Sequence, residues 1–113
     1  MKILKEQIHI KDLAHFENNY FKDMIKCVAD VKQNIIALDA SMHSDLERFL
    51  LEEGCENKNL WGFNLYFDGD NIEDIIEYNS LINIRPYQNN NSMEIKDEKI
   101  KNDILKVVKN WII

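Results

Sequence analysis

Leu60-Trp61-Gly62-Phe63-Asn64-Leu65-Tyr66-Phe67, followed after Asp68-Gly69-Asp70 by Ile75-Ile76-Glu77-Tyr78-Asn79-Ser80-Leu81-Ile82-Asn83-Ile84-Arg85-Pro86, carries the strongest fold signal in the chain. In the first run Trp61, Phe63, Leu65 and Phe67 alternate with Gly62, Asn64 and Tyr66. In the second, Ile76, Tyr78, Ile82 and Ile84 alternate with Glu77, Asn79, Leu81, Asn83 and Arg85. A period of two is the signature of a strand whose faces meet different surroundings. The spacing predicts two strands, over Leu60 to Phe67 and Ile75 to Ile84, each with an oily side and a polar side.

Working outward, Ile25, Cys27, Ala29 and Val31 alternate with Met24, Lys26, Val28 and Asp30, which predicts a strand from Lys22 to Val31. Lys32-Gln33-Asn34 is a short hairpin connection, with Asn34 suited to a left-handed conformation. Ile35 to Leu38 returns as its partner. Another strand is expected at Ile3 to Glu6, and a helix near Lys11 to Tyr20 on the spacing of Leu13, Phe16 and Tyr20. Ser41 or Ser44 is expected to cap a second helix bearing Leu46, Phe49 and Leu50, with Gly54 just beyond its end. Asp97 opens a last helix, in which Ile100, Ile104, Val107, Val108 and Trp111 form one apolar stripe. The order β-α-β-β-α-β-β-α with tight hairpins implies a single α+β domain over residues 1–113. Its expected form is a mostly antiparallel sheet of about five strands with helices on one face.

Composition narrows the function classes. The 113 residues carry a net charge of −6 and are 45% hydrophobic, values of a globular domain. The negative sign and a basic set of twelve lysines and two arginines, Arg48 and Arg85, argue against general nucleic-acid binding. No apolar run reaches the ~20 residues of a membrane span. The start, Met1-Lys2-Ile3-Leu4-Lys5-Glu6, lacks an apolar export region, so a cytoplasmic protein with reduced cysteines is expected. Cys27 falls in an apolar alternation and is expected in the core; Cys55, after Gly54, is expected partly exposed.

Asparagine is a poor strand residue, so Asn64, Asn79 and Asn83 in strands point to side chains used for hydrogen bonding. With Tyr66, Glu77 and Arg85 they form a candidate polar face. Arg85 offers a planar donor fork for a carboxylate or phosphate, with Asn64, Asn83, Gln88 and Asn90 as its hydrogen-bonding frame. Glu77 either pairs with Arg85 or orients it. The leading reading is a binding module for an anionic ligand or partner chain, isologous dimerisation being one form of it. The alternative is a small enzyme, for example a hydrolase: His43 as acid or base, Asp45 or Glu77 as its orienting carboxylate, Arg85 as anion stabiliser. No ligand set has metal spacing, and no phosphate loop, GxSxG, HExxH or dinucleotide fingerprint occurs, so no metal or cofactor is expected.

The segments Met42-His43-Ser44-Asp45, Leu60-Trp61-Gly62-Phe63-Asn64-Leu65-Tyr66 and Ile82-Asn83-Ile84-Arg85-Pro86, with Gln88 and Asn90, resemble a family of small prokaryotic proteins catalogued as a domain of unknown function. The resemblance spans nearly the whole chain. That family has His-Ala-Asp at His43-Ser44-Asp45 and glycines at Asn34 and Asn89, substitutions that keep His43, Asp45 and the turns in place. The resemblance implies a prokaryotic cytoplasmic protein and supplies no reaction.

Overall fold

The computed structural model describes residues 1–16 and 18–113. Five strands form one sheet: β1 (Lys2–Ile3), β2 (Met24–Asp30), β3 (Ile35–Leu38), β4 (Leu60–Tyr66) and β5 (Ile76–Glu77). Three α-helices accompany them: α1 (His43–Glu52), α2 (Ile72–Ile75) and α3 (Glu98–Trp111). The sheet order is β1-β3-β2-β4-β5, and every neighbouring pair is antiparallel. The α+β class and the five-stranded antiparallel sheet are thus as the periodicity implied.

β2 is the central strand. It pairs with β3 through the hairpin at Lys32-Gln33-Asn34, where Asn34 takes φ 60°, and with β4 along its full length. Asp30 sets the hairpin: its Oδ1 accepts from the backbone N–H groups of Lys32 and Gln33, both at 2.9 Å. Asp97 caps α3 by accepting from Lys99 N at 2.7 Å, and Gly54, at φ +96°, follows the C-cap of α1.

Helices cover both faces of the sheet, not one. β3 and β4 both run antiparallel to β2, so they are parallel to each other with β2 between them. Their connection must cross over a face of the sheet, and α1 is that crossover. Leu46 and Leu50 of α1 pack on Val28, Ala37 and Leu60. On the opposite face, Ile104, Val107 and Val108 of α3 pack on Ile25, Cys27, Ala29, Ile36, Leu38, Phe63 and Leu65. Cys55 also differs from expectation. It is buried in the α1 layer beside Asp30, and desolvation with that carboxylate pushes its thiol up to about 12.

Three further elements depart from the sequence reading. The first strand is only Lys2–Ile3. The segment expected as a helix near Lys11 to Tyr20 forms a 3-10 turn at Ile10–His15, and the Glu17 within it lies outside the described residues. The strand expected over Ile75 to Ile84 shrinks to Ile76–Glu77, with helical turns on either side at Ile72–Ile75 and Leu81–Asn83. Ser80 starts the second turn by accepting from Ile82 N at 3.3 Å. Consequently Ile76 and Tyr78 pack with the α3 layer while Ile82 packs with the α1 layer. The alternation read there as one face is split by the turn. Among the described residues no helix is long and apolar enough to cross a membrane.

Candidate functional site

The α1-side face of the sheet is oily only where α1 lies on it. Toward the other end, Lys26 of β2, Asn64 of β4 and Glu77 of β5 stand in register across three strands. Directly opposed antiparallel residues have Cβ atoms about 5 Å apart, so these three form a row: cation, carboxamide, carboxylate. The Asn64 Nδ2 donates to Glu77 Oε1 at 2.8 Å and to Asn79 O at 3.4 Å, and the Tyr66 hydroxyl donates to the same Glu77 oxygen at 3.2 Å. Both partners of Nδ2 can only accept, which fixes the orientation of the amide. Its Oδ1 therefore points away from Glu77. That atom is buried and has no hydrogen-bond partner among the described residues, in a side chain only 5% exposed.

His43, the first residue of α1, lies over this row. Its Nε2 is 2.9 Å from Phe63 O. A carbonyl only accepts, so Nε2 carries the proton and the neutral ring keeps its lone pair on Nδ1. The ring is 7% exposed, and burial pushes its pKa down from 6.5 to about 4. The Phe63 hydrogen bond opposes that shift, and the charge of nearby Lys26 adds to it. Gly62 makes the approach feasible. A Cβ there would lie 2.7 Å from Ser80 Cβ, 2.8 Å from Ser80 Oγ and 3.2 Å from His43 Cδ2. Any side chain at 62 would displace Ser80 and crowd the His43 ring.

Around these groups opens a cleft of about 270 Å³, lined by Lys26, the Ser41-to-Ser44 stretch, Asn64, the Asn79-to-Ile82 segment and Met93. The expected Ser41 or Ser44 cap is not formed. The N-cap is Met42, whose side chain makes no capping bond, so the first-turn N–H groups of α1 beside the cleft lack a side-chain acceptor. Met42 and Leu81 stay well exposed at the cleft, Leu81 by 68%.

The remaining candidate residues serve the chain itself. Asn83 is fully buried; its Oδ1 accepts from Gly62 N and its Nδ2 donates to Gly62 O, both at 2.9 Å. The carboxamide thus replaces a neighbouring strand at the edge of β4 that β5 is too short to reach. Arg85 is 3% exposed and does the same beside it. Its Nε donates to Ile82 O at 3.0 Å and its Nη1 to Asn57 O at 2.8 Å and Gln88 Oε1 at 3.1 Å, while Nη2 donates to Leu60 O. The guanidinium stacks 4.3 Å from the Trp61 ring centre, and its nearest carboxylate is Glu47 at 4.0 Å, not Glu77. Gln88 donates to Lys58 O, and Asn90 donates to Asn83 O and Ser92 O, tying down the loop. With its donors turned inward, Arg85 offers no fork to an external anion. The expected common face is therefore corrected: Asn64, Tyr66 and Glu77 share one, whereas Asn83, Arg85, Gln88 and Asn90 form an internal brace.

The His43–Asp45 pairing is also not formed. Asp45 binds Arg48 at 2.8 Å one turn along α1 and does not line the cleft. Among the described residues no group of three or more His, Cys, Asp or Glu side chains is placed to hold a metal. Lys26, Ser80 and Met93 were missed as site residues. The Lys22 to Val31 alternation does separate Lys26 from Cys27, but nothing local announces that β2 pairs with β4.

Comparison with known proteins agrees with the earlier resemblance. The chain belongs to the family described as protein of unknown function DUF5674, whose model matches residues 2–111. No curated protein and no solved structure matches it.

Proposed function

We propose that this member of the family is a binding module for a small molecule, and that its site is the cleft between the start of α1, Lys26 of β2 with Asn64 of β4, and the Asn79-to-Ile82 segment. The observation that carries the reading is the Asn64 Oδ1. A buried acceptor left unpaired costs roughly 1–3 kcal/mol; Glu77 holds the amide in place, and the neighbouring His43 ring, with its proton on Nε2 facing Phe63 O, supplies no donor. A ligand N–H or O–H removes that cost. In the neutral ring of His43, which also lines the cleft, Nδ1 is a second acceptor. A cleft of about 270 Å³ sits just below the usual range for drug-sized ligands, which selects something small. The binding module read from the sequence is kept, with its centre moved from Arg85 to Asn64.

Nitrogen-edited NMR of the free protein tests this with acetamide, N-methylurea and isobutanol as probes. Amide shifts confined to His43, Asn64, Ser80 and Leu81 are expected, and Asn64→Ala should remove them while the spectrum stays dispersed. Shifts elsewhere only, or shifts unchanged in Asn64→Ala, would show that an ordered water completes Asn64 and that the cleft is not a ligand site. Concentration-dependent dimerisation abolished by Leu81→Glu would instead assign the cleft to a second copy of the chain.

A further inference from the structure

We infer that the ligand of this cleft is a small zwitterion, a free α-amino acid with an apolar side chain. The inference rests on the reading of the cleft as a donor-recognising site and adds the chemistry of the other end.

Lys26 and Asn64 form the polar floor of the cleft, with Glu77 behind Asn64 and outside the lining. Lys26 stands on β2, Glu77 on β5, and the Asn64 carboxamide between them. Lys26 makes no ion pair among the described residues; its ammonium lies 5.3 Å from the Phe21 ring centre. Glu77 acts on the cleft only through Asn64, whose Nδ2 donates to it and whose Oδ1 points away from it. A ligand in the cleft meets the Lys26 charge and, next to it, the Asn64 acceptor, and a molecule that carries both a carboxylate and N–H donors matches that pair better than a simple anion or cation.

Each end also has matching hydrogen-bond groups. The α1 N-terminus lacks a side-chain cap, and its free N–H groups with the helix dipole favour a carboxylate, as does Lys26 beside them. The unpartnered Asn64 Oδ1, 95% buried, and the His43 Nδ1 are two acceptors for the three N–H bonds of an ammonium. A carboxylate suits the first end better than a phosphate. Phosphate sites of this kind draw on arginine, and both arginines are engaged elsewhere, Arg48 with Asp45 and Arg85 in the brace. The exposed Met42, Leu81 and Met93 supply the apolar wall for a side chain, methionine adapting to its shape.

The experiment uses four probes against the full chain, followed by NMR titration: L-leucine, 4-methylpentanoate (leucine without its amine), isopentylamine (leucine without its carboxylate) and inorganic phosphate. L-leucine should bind at least about tenfold more tightly than either truncated analogue, with shifts at His43, Ser44 and Asn64. Lys26→Gln should weaken leucine and 4-methylpentanoate and leave isopentylamine unchanged. Asn64→Leu should weaken leucine and isopentylamine and leave 4-methylpentanoate unchanged. Isopentylamine binding as well as leucine, with Lys26→Gln silent, would overturn the zwitterion and leave the donor-recognising cleft standing. Phosphate displacing leucine would overturn it in favour of a phosphorylated ligand. No probe moving the cleft amides at its solubility limit, together with no response to the neutral donors, would overturn both.

Discussion

His43 is the residue on which several forces meet. It begins a helix, its Nε2 is held by a strand carbonyl and its ring is almost wholly buried, so its protonated form is disfavoured. The folded pKa, about 4, lies below the ordinary 6.5, so the unfolded chain takes the proton first. The stability this contributes is fully present above pH 6.5 and is lost as pH falls from 6.5 toward 4. At 1.36 kcal/mol per unit of pKa the effect is about 3 kcal/mol. His43→Gln keeps a donor for Phe63 O and does not titrate. Denaturant unfolding across that window should therefore show the native protein losing about 3 kcal/mol more than the variant. Parallel curves, or an imidazole resonance of His43 titrating near its ordinary pKa, would contradict the burial argument.

At the scale of elements, the Ile82-Asn83-Ile84-Arg85-Pro86 segment and β4 form one device. β4 keeps β5 only at Asn64 and Leu65, which leaves the Leu60 and Gly62 backbone at a sheet edge. Side chains close that edge: Asn83 pairs both groups of Gly62, and Arg85 takes the Leu60 carbonyl. Arg85→Lys keeps the charge and loses the fork that bonds the Ile82, Asn57 and Leu60 carbonyls together. It should cost about 2–4 kcal/mol of stability, while leucine affinity measured well below the melting temperature changes little. A large affinity loss without a stability loss would return Arg85 to the ligand. This device marks where the sequence could be read and where it could not. The β2–β3 hairpin, α3 with its Asp97 cap, and the alternation in β4 were legible because their signals are local: turn residues, a cap and a period. The Ile75 to Ile84 strand was misjudged because alternation continues through a turn that Ser80 imposes and that Gly62 makes room for. Asn83 and Arg85 were correctly singled out as hydrogen-bonding side chains. The sequence points their donors at an anionic ligand or partner chain, because no local signal shows that a neighbouring strand lacks backbone partners. Asn64 and Glu77 stand out in strands that do pair; Asn64 lines the cleft and Glu77 holds its carboxamide.

For the molecule as a whole, the order β1-β3-β2-β4-β5 makes the two faces unequal. The face under α3 gathers most of the core, from Leu4 and Leu13 to Phe63, Ile104 and Ile112, and is also closed by α2 and the last strand-like contact of Ile8 with Ile112. The α1 face has a smaller layer, because Lys26 and Asn64 with the cleft occupy the rest of it. Each fully buried aliphatic side chain contributes about 1.5–3 kcal/mol, so the α3 layer dominates global stability and α1 is held by fewer such terms. Helix α1 also starts without a side-chain cap. It follows that α1 should open sub-globally while the sheet and α3 remain closed. Native-state hydrogen exchange should give α1 amides an opening free energy well below that of β2 and α3. Binding of L-leucine should raise it selectively, since the ligand's carboxylate would occupy the uncapped first turn. Amides of α1 exchanging as slowly as those of β2 would mean that the crossover helix is part of the same cooperative unit, and that the cleft is rigid rather than closed by its ligand.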